Sequence, residues 1–499
     1  MDRSRGRRGC PMNHFRLGGP PDDGRTVIIP VCVEGLPDIK RARARLGTAA
    51  LLPNMAARHA VTWFYGYGGE PDILLVGLGE AAKLQPAVIR EAAGNAGRAL
   101  LKERRSEAAV SFEGLVSSVR SGSCRPEDIS AWVEGWMLGT YTFDKYKAKP
   151  GGEHGIVHVQ LNCEDGPEWQ AAVQLGSIRA EGTIWARDMA NEPPNYLRPR
   201  DLAERAAARF AGTEATVKVY EGEELDRMGF TGLMAVGKGS AYPPVFLEIR
   251  YCTDETKPLI ALIGKGITFD TGGISLKRDN DISDMRMDMA GAAGVLGALD
   301  ILVRSGAPAN VAVLVPSAEN SPSDRSLLPG EVIRYANGVT VQVGNTDSEG
   351  RLILADALIY AHRIGAAQAI DMATLTYSVV GALGSRVAGL LGDNQLAQSL
   401  RTAGEPFGER VWQLPLVDDY EAYLDSDYAD TSNISKVGEA GTITAALFLR
   451  KFVHPDLAWA HIDMNGPKES SSAKGEFATG ATGFGARMLS AYITGIPEV

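Results

Sequence analysis

Residues 259–273, LIALIGKGITFDTGG, combine a strand pattern with a group of charged residues. An apolar run rich in isoleucine and leucine ends at Lys265, and Asp270 follows in a loop with Gly272 and Gly273. Loops at the carboxyl ends of buried strands carry the binding groups of α/β proteins, and glycine gives such loops backbone conformations that other residues avoid. The stretch therefore predicts an α/β fold with a site at this strand end.

Strand-like and helix-like stretches alternate on both sides of these residues. Before them, helix-like stretches at 85–104 and near 127–138 are interleaved with the strand-like runs TVIIPVCV (26–33), DILLVGLG (72–79), AAVSFE (108–113) and HGIVHVQL (154–161). After them come a helix at 285–305, the strands VAVLVP (311–316) and VTVQVG (339–344), a helix at 349–363 and the strand AIDMATL (369–375). Such alternation is typical of mostly parallel sheets covered by helices.

The chain is expected to form two domains, each a mixed or mostly parallel sheet covered by helices. At 499 residues it is too long for one ordinary core. A long helix from about 167 to 189 runs up to NEPPN (191–195), whose prolines end it. The predicted organisation is a flexible tail at 1–24, an N-terminal α/β domain at 25–170, a linker helix and proline-rich turn at 171–198, and a larger C-terminal domain at 199–499.

Composition and charge argue against several classes of protein. Hydrophobic residues make up 44% and charged residues 22%, as in ordinary globular proteins. A net charge of −10 argues against nucleic-acid binding by the surface as a whole, and no apolar run is long enough to span a membrane. The basic N-terminus lacks the apolar core of a secretory signal. The five cysteines form no CxxC pattern, which favours a reducing, cytoplasmic setting.

Two acid-rich segments, 264–293 and 345–356, bring many charges together. Burying several like charges side by side is very costly unless something neutralises them. A pair of divalent metal ions about 3.5–4 Å apart would do so, and oxygen ligands suit hard or borderline metals. The alternatives are a surface cluster of salt bridges and a two-metal phosphoesterase, which would want histidines or a phosphate cradle nearby. The charged residues are the carboxylates Asp270, Asp288, Asp347 and Glu349 and the cations Lys265, Lys277 and Arg351.

Four weaker patterns have simpler explanations. GLGEAA (77–82) is close to a dinucleotide-binding loop, but a tight strand-to-helix turn explains its glycines as well. GLMAVGKG (232–239) lacks the Ser or Thr of a phosphate-binding loop and is interpreted as a turn. His154 and His158 lie in a strand-like stretch without HExxH, and His461 is interpreted as a hydrogen-bonded core histidine.

The acid-rich segments carry a specific resemblance. NTDSEGRL (345–352) resembles the NTDAEGRL signature of the leucyl (cytosol) aminopeptidase family. GKGITFDTGGISLK (264–277) and MRMDMAGAA (285–293) are similar to the family's other two metal segments, in the same order and at its spacing. The resemblance extends from about residue 26 to 494 and includes DMATLT, SDYADTSNI, WAHIDM and ATGFG.

The resemblance implies a two-domain, metal-dependent aminopeptidase that forms a homohexamer and releases N-terminal amino acids from peptides. Two divalent ions per subunit are expected, with zinc or manganese favoured and cobalt or magnesium also compatible. One ion would be held by Lys265, Asp270, Asp288 and Glu349, and the other by Asp270, Asp347 and Glu349. Lys265 can ligate only as the neutral amine, so its pKa must be strongly depressed, which two adjacent dications can achieve.

The same resemblance assigns catalytic roles. The ions would lower the pKa of a shared, bridging water, whose hydroxide attacks the peptide carbonyl. Lys277 would polarise that carbonyl and stabilise the oxyanion. Arg351 would hold a bicarbonate ion as general base, and its planar fork suits such an anion. A DNA-binding role, which some members of the family add, gains no support from the acidic composition.

The pocket for the first side chain of the substrate departs from the family. By alignment of the flanking motifs its lining is Met285, Thr374, Tyr377, Asn465 and Lys468. Glycine is usual at the position of Tyr377 and alanine at that of Asn465, so the tyrosine should fill space, and Lys468 should add positive charge. We therefore expect a preference for small, polar or acidic residues over bulky aliphatic ones. The alternative is that Tyr377 and Lys468 turn to solvent and leave specificity unchanged.

Overall fold

The computed structural model describes residues 13–19, 25–39, 51–115, 124–148, 157–278 and 281–495. Its contacts divide the chain into two units. The first takes in the chain up to Ile184 together with Ser470–Thr479, and the second comprises Trp185–Glu469 and the chain from Gly480. The division falls inside the predicted linker, 171–198. The sequence did not indicate that Ser470–Thr479 would join the first unit.

The first unit is built on a six-stranded sheet in the order β1-β6-β5-β2-β4-β3. Neighbouring strands are parallel, except that β3 runs antiparallel to β4. The strands are β1 Asn13–Leu17, β2 Thr26–Cys32, β3 Val61–Phe64, β4 Ile73–Gly79, β5 Glu107–Ser111 and β6 Val157–Asn162. The helices are α1 Pro86–Lys102, α2 Pro126–Gly139 and α3 Pro167–Asn191, the last of which continues into the second unit from Trp185. The 3-10 turns lie at Leu36–Asp38, Pro53–Ala56, Ala81–Lys83 and Phe112–Leu115.

Two helices of this unit approach closely because glycines lie where they cross. A Cβ on Gly135 of α2 would lie 2.0 Å from the carbonyl oxygen of Arg90 in α1, and one on Gly139 would lie 2.3 Å from the Cα of Gly94. The close approach also buries an ion pair. The Nε of Arg90 lies 2.6 Å from Oε1 of Glu134, and both side chains are shielded from solvent.

Strand β1 corrects one prediction. Residues 13–17, which the sequence places in a flexible tail, pair in parallel with β6. Phe15 and Leu17 alternate with polar residues and pack against the core of this sheet, so their burial offsets part of the entropy lost when the segment is ordered. The rest of the predicted tail, apart from 18 and 19, lies outside the described residues.

The second unit is the larger one and contains a nine-stranded mixed sheet in the order β16-β15-β18-β14-β9-β11-β8-β7, with β10 paired to β11. The strands of this sheet are β7 Thr216–Glu221, β8 Val245–Cys252, β9 Ile260–Gly264, β10 Gly266–Asp270, β11 Asn310–Asn320, β14 Gln368–Ala373, β15 Val387–Gly392, β16 Arg410–Gln413 and β18 Ala458–Asp463. The short strands are β12 Val332–Arg334, β13 Thr340–Gln342, β17 Thr431–Ser432, β19 Glu469–Ser470 and β20 Gly480–Ala481.

Helices cover both faces of this sheet. On each face, side chains of the strands pack with those of the covering helices in a separate apolar cluster. The helices are α4 Pro199–Phe210, α5 Glu223–Met228, α6 Thr231–Gly237, α7 Ala290–Ser305, α8 Glu349–Arg363, α9 Tyr377–Leu383, α10 Asn394–Gly404, α11 Gly441–Arg450 and α12 Ala486–Thr494. Shorter 3-10 turns lie at Ser283–Met287, Gly384–Arg386, Glu405–Phe407 and Asp418–Leu424. In the described part of the chain, no helix is both long and apolar enough to cross a membrane.

In the second unit two helix predictions were right, one of them only from Ala290 onward, and one turn prediction was wrong. The helix predicted at 349–363 is α8, and the helix predicted at 285–305 divides into the 3-10 turn Ser283–Met287 and α7. The turn predicted at 232–239 was wrong, because most of it forms α6. A buried carboxylate stabilises the start of α6, since Asp356 of α8 accepts a hydrogen bond from the amide of Leu233 at 2.7 Å.

We expect Glu134→Ala to destabilise the first unit by about 3–5 kcal/mol, because it leaves the buried guanidinium of Arg90 without its nearest carboxylate. Glu476 lies farther away, at 3.7 Å from Nε of Arg90. Urea-induced unfolding measures the change. Glu127→Ala removes an exposed carboxylate from the same helix and should cost less than about 0.5 kcal/mol. Equal costs for the two variants would contradict this role of the buried pair.

Candidate active site

The candidate site lies where strands of the second sheet end. Lys265 lies between β9 and β10, Asp270 ends β10, and Thr374 follows β14. Strand β9 is hydrogen-bonded in parallel to both β11 and β14, so these ends meet at one edge of the sheet. Asp288 lies two residues before the start of α7, and Glu349 is the first residue of α8.

Lys265 is surrounded by oxygen atoms. Its Nζ lies 2.8 Å from Oδ2 of Asp288, 2.8 Å from Oε1 of Glu349 and 3.1 Å from the carbonyl oxygen of Thr374. Burial alone would lower the pKa of this ammonium group, but Asp288 and Glu349 outweigh that effect and raise it. In the chain by itself, Lys265 is therefore a cation that pairs with two acidic segments.

Lys277 makes the equivalent link between the other two carboxylates. Its Nζ lies 2.8 Å from Oδ2 of Asp270 and 2.6 Å from Oδ1 of Asp347. Burial lowers its pKa as well, but the neighbouring carboxylates, Asp270 first among them, raise it by more. Each lysine therefore bridges segment 264–293 and segment 345–356.

The two lysines do not fully compensate the carboxylates. Burial, reinforced by the charge of Glu349, raises the pKa of Asp270 to about 6 despite both lysines. Burial also raises the pKa of Asp288 well above its usual range and, to a smaller extent, the pKa of Asp347. Glu349 behaves differently, because Lys265 and Lys277 outweigh its burial and lower its pKa. The cluster therefore favours additional positive charge.

Three of the carboxylates fit a metal ion directly. Asp270, Asp347 and Glu349 each place one oxygen so that the three oxygens lie within 4.8 Å of one another. Oxygen donors of this kind suit hard or borderline divalent metals. Lys265 contacts both Glu349 and Asp288, so further candidate ligands for a second ion lie beside these three residues.

Glycines provide the space that this cluster needs. A Cβ on Gly350 would lie 2.7 Å from Nζ of Lys265, which is too close for any other residue. Gly272 has a φ of +87°, and a Cβ there would lie 2.9 Å from Oδ1 of Asp347. These contacts explain in physical terms why the acidic segments contain glycine next to their charged residues.

Arg351 is buried beside the cluster. Its Nη1 donates a hydrogen bond of 2.8 Å to the carbonyl oxygen of Asn433, whereas its Nε has no acceptor among the described residues. Burial lowers the pKa of this guanidinium to about 10, against the opposing charges of Glu349 and Asp463. A buried N–H without an acceptor is uncommon and suits an anion or a water molecule.

Most predicted site residues line one cleft with an empty volume of about 450 Å³. Tyr377 contributes to the lining although it is 59% exposed, and Asn465 donates a hydrogen bond of 3.0 Å to the carbonyl oxygen of Thr376. The predicted residues in the lining are Lys265, Asp270, Lys277, Met285, Asp288, Asp347, Glu349, Arg351, Thr374, Tyr377 and Asn465.

Lys468 neither adds its charge to the pocket nor turns to solvent, the two alternatives expected from the sequence. It is not among the residues that line the cleft, and it does not turn to solvent, because it is only 6% exposed. Its Nζ lies 2.6 Å from Oε1 of Glu469 and 3.5 Å from Oδ2 of Asp284. These two carboxylates neutralise its charge, which removes the reason to expect a preference for acidic residues.

Sequence reasoning missed residues that hold the acidic segments in place. Asn320, at the end of β11, donates hydrogen bonds to Asp270 and to the carbonyl oxygen of Thr346. The side chain of Asn433 binds the backbone of the turn that carries Asp347, accepting from Gly344 and donating to Asn345. Asn433 lies in SDYADTSNI, a segment that carries the resemblance but to which no role was assigned.

The weaker patterns have structural roles. His461 is a buried core histidine, as predicted, and its Nδ1 lies 2.5 Å from Oδ1 of Asp371. In GLGEAA the strand β4 ends at Gly79, and α1 begins only at Pro86, so the glycines do not open a helix. His158 stacks on His14 with 5.4 Å between ring centroids, whereas His154 lies outside the described residues.

Comparison with known proteins establishes the family. The model of the cytosol aminopeptidase family's catalytic domain matches residues 184–490, and the model of its N-terminal domain matches residues 56–150. This chain belongs to the cytosol aminopeptidase family. It is therefore a metallo-exopeptidase, a hydrolase with the two-domain α/β fold that the sequence predicts.

Relatives and solved structures agree with this membership. A probable cytosol aminopeptidase of Chlorobaculum tepidum is 41% identical over 434 residues, which cover 84% of this chain and 85% of the relative. One from a Geobacter species is 37% identical over 467 residues, 93% of this chain and 91% of the relative. The solved structure of the bottromycin maturation enzyme BotP in complex with Mn is 34% identical with a TM-score of 0.83, and the match covers 95% of this chain and 99% of that one.

Binding of a divalent metal should weaken as the pH falls through about 6. Asp270 must lose its proton to bind a metal ion, and its surroundings raise its pKa to about 6. Below that pH the proton competes with the metal, so the apparent Mn²⁺ affinity should fall by up to about tenfold per pH unit for each proton displaced. Isothermal titration calorimetry between about pH 5 and 7.5 measures this, and an affinity independent of pH would contradict it.

Proposed function

We propose that this chain uses two divalent metal ions to remove the N-terminal residue of peptides. The observation that carries the proposal is the group of Asp270, Asp347 and Glu349, whose oxygens lie within 4.8 Å of one another in the cleft. One ion would be held by these three residues. The other would be held by Asp270 and Glu349 together with Lys265 and Asp288.

Manganese is the favoured metal. The similar structure of BotP is a complex with Mn, and the carboxylate ligands suit manganese as well as zinc, with cobalt and magnesium also compatible. Bound ions would supply a hydroxide nucleophile from water at neutral pH and would polarise the peptide carbonyl.

The two lysines would take different roles. Lys265 would ligate as a neutral amine, because ions among the carboxylates would replace the proton that Asp288 and Glu349 now stabilise. Lys277 would keep its charge and donate hydrogen bonds to the carbonyl oxygen of the substrate as that oxygen becomes an oxyanion. Its position between Asp270 and Asp347 supports this role, since it already reaches into the acidic cluster.

Arg351 would hold the general base. Its Nη1 is anchored on Asn433, and its buried Nε lacks an acceptor among the described residues, which leaves an N–H for a planar anion such as bicarbonate. Such an anion would accept the proton of the attacking water, a task for which the cleft lining offers no histidine.

The altered pocket should favour small or polar N-terminal residues. Tyr377 lines the cleft where glycine is usual in the family, so it reduces the room for a bulky side chain. Asn465 adds a polar group to the same lining. A second candidate is a dedicated peptide substrate rather than general peptide turnover, and the match to a maturation enzyme over 95% of this chain supports it.

We further propose that the enzyme is a cytoplasmic homohexamer without a nucleic-acid partner. The names of its relatives, cytosol aminopeptidases, support the location. The hexamer rests on the family resemblance alone. The net charge of −10 supports the absence of a nucleic-acid role.

Asp347→Asn should remove one of two bound metal ions and lower kcat/KM by more than about 100-fold. Residues that only orient metal ligands cost about 10–100-fold when changed, so a direct ligand should cost at least as much. Metal analysis and hydrolysis of alanine p-nitroanilide measure the two effects. Asp324→Asn, which changes an exposed aspartate of the same unit, is the control. Retained activity in Asp347→Asn would refute the ligand assignment.

Tyr377→Gly should raise kcat/KM for leucine p-nitroanilide relative to the alanine compound by about 10–200-fold, the range that even a single methylene group commands in an apolar pocket. The wild type should prefer the alanine compound. Tyr67→Gly, at a tyrosine that is 93% exposed in the first unit, should leave the ratio unchanged. A wild type that strongly prefers leucine would rule out the altered pocket.

A further inference from the structure

We propose that Asn320 is a positioning residue that sets the separation between the two acidic segments and selects the oxygen that Asp270 offers to a metal ion. The inference rests on the proposed function, because it concerns residues of the proposed metal centre. Asn320 is the last residue of β11 and lies opposite Asp270 in the parallel pairing with β10. Its side chain is buried, with 3% of the residue exposed.

The carboxamide of Asn320 joins the two segments through a single nitrogen. Its Nδ2 donates to Oδ1 of Asp270 at 2.8 Å and to the carbonyl oxygen of Thr346 at 3.0 Å. Both N–H bonds of the amide are therefore used. Because Thr346 directly precedes Asp347, one rigid planar group fixes Asp270 relative to the turn that carries Asp347.

The same contact determines which oxygen of Asp270 is available. Oδ1 accepts from Nδ2 of Asn320 and also from the amide of Gly272 at 2.9 Å, so both of its lone pairs are engaged. Oδ2 instead lies 2.8 Å from Nζ of Lys277, on the side of the acidic cluster. Asp270 therefore presents Oδ2 to an ion, and without Asn320 the carboxylate could rotate.

Both the backbone and the carboxamide of Asn320 are held in place. Its backbone oxygen accepts from the amide of Thr271 at 3.1 Å and from the hydroxyl of Thr271 at 2.8 Å. A Cβ on Gly273 would lie 2.8 Å from Oδ1 of Asn320, so this glycine leaves the carboxamide just enough room. A flipped amide would place its oxygen against two acceptor oxygens, which electrostatics disfavours.

Asn320→Ala should weaken Mn²⁺ binding by about 10–100-fold and lower kcat by a similar factor at saturating Mn²⁺, with KM changed less than about threefold. Calorimetric titration of the metal-free full chain with Mn²⁺ gives the affinity independently of activity. Ser317→Ala is the matched control, because it removes a buried hydrogen bond from the same strand, to Gly266, without touching the acids. Ser317→Ala should bind Mn²⁺ like the wild type. In the absence of metal, Ser317→Ala and Asn320→Ala should lower the Tm of thermal unfolding by similar amounts.

Asn320→Asp is the second variant, since it keeps the shape of the side chain but removes both donors. Its added negative charge would by itself attract a cation, so weaker Mn²⁺ binding supports positioning by the amide, and wild-type or tighter binding overturns it. Binding by Asn320→Ala within about twofold of the wild type also overturns it. A wild type that binds no Mn²⁺ would instead overturn the proposed metal centre, so the two failures are distinguishable.

Discussion

The compensation of buried charge is the constraint on which the rest of the site depends. Two ammonium groups, Lys265 and Lys277, each lie between carboxylates of different segments at 2.6–2.8 Å. These ion pairs hold together parts of the chain that are about 60–80 residues apart in sequence. They do not compensate the carboxylates fully, as the pKa of Asp270 indicates, which burial raises to about 6 despite both lysines. The carboxylates therefore favour additional positive charge, which divalent ions can supply.

The fold makes this arrangement possible by combining strand ends with a helix start. Glu349 is the first residue of α8, where the positive end of the helix dipole stabilises a carboxylate. This placement agrees with its lowered pKa, which contrasts with the raised pKa of Asp270 and Asp288. Gly350 follows directly and leaves room for Lys265. Lys265 and Lys277 lower the pKa of this buried acid, and its position at the start of the helix acts in the same direction.

The grouping of the acids and lysines could be predicted from sequence, but the residues that hold them in place could not. Acid, lysine and glycine next to one another at a strand end suffice to predict a cluster of charged residues at Asp270. By contrast, Lys468 pairs with its neighbour Glu469 and also with Asp284, which lies almost two hundred residues earlier in the chain. Nothing in the sequence distinguishes Asn320 and Asn433 from other polar residues. The fold places them in hydrogen-bond contact with the acidic segments. The roles of these residues depend on partners that are distant in the sequence, and local sequence patterns do not predict such contacts.

The acidic cluster and the cleft wall proposed to bind the substrate side chain are coupled, because one loop contributes to both. The backbone oxygen of Thr374 accepts from Lys265, and its hydroxyl donates to Asp288 at 2.7 Å. Three residues later Tyr377 begins α9 and lines the cleft. The buried carboxylate of Asp463 holds the loop between them, through the amide of Leu375 at 3.1 Å and other contacts. A substitution that reshapes the cleft at Tyr377 can therefore shift Thr374 and, with it, Lys265 and Asp288. We expect specificity and catalytic rate to change together at this loop.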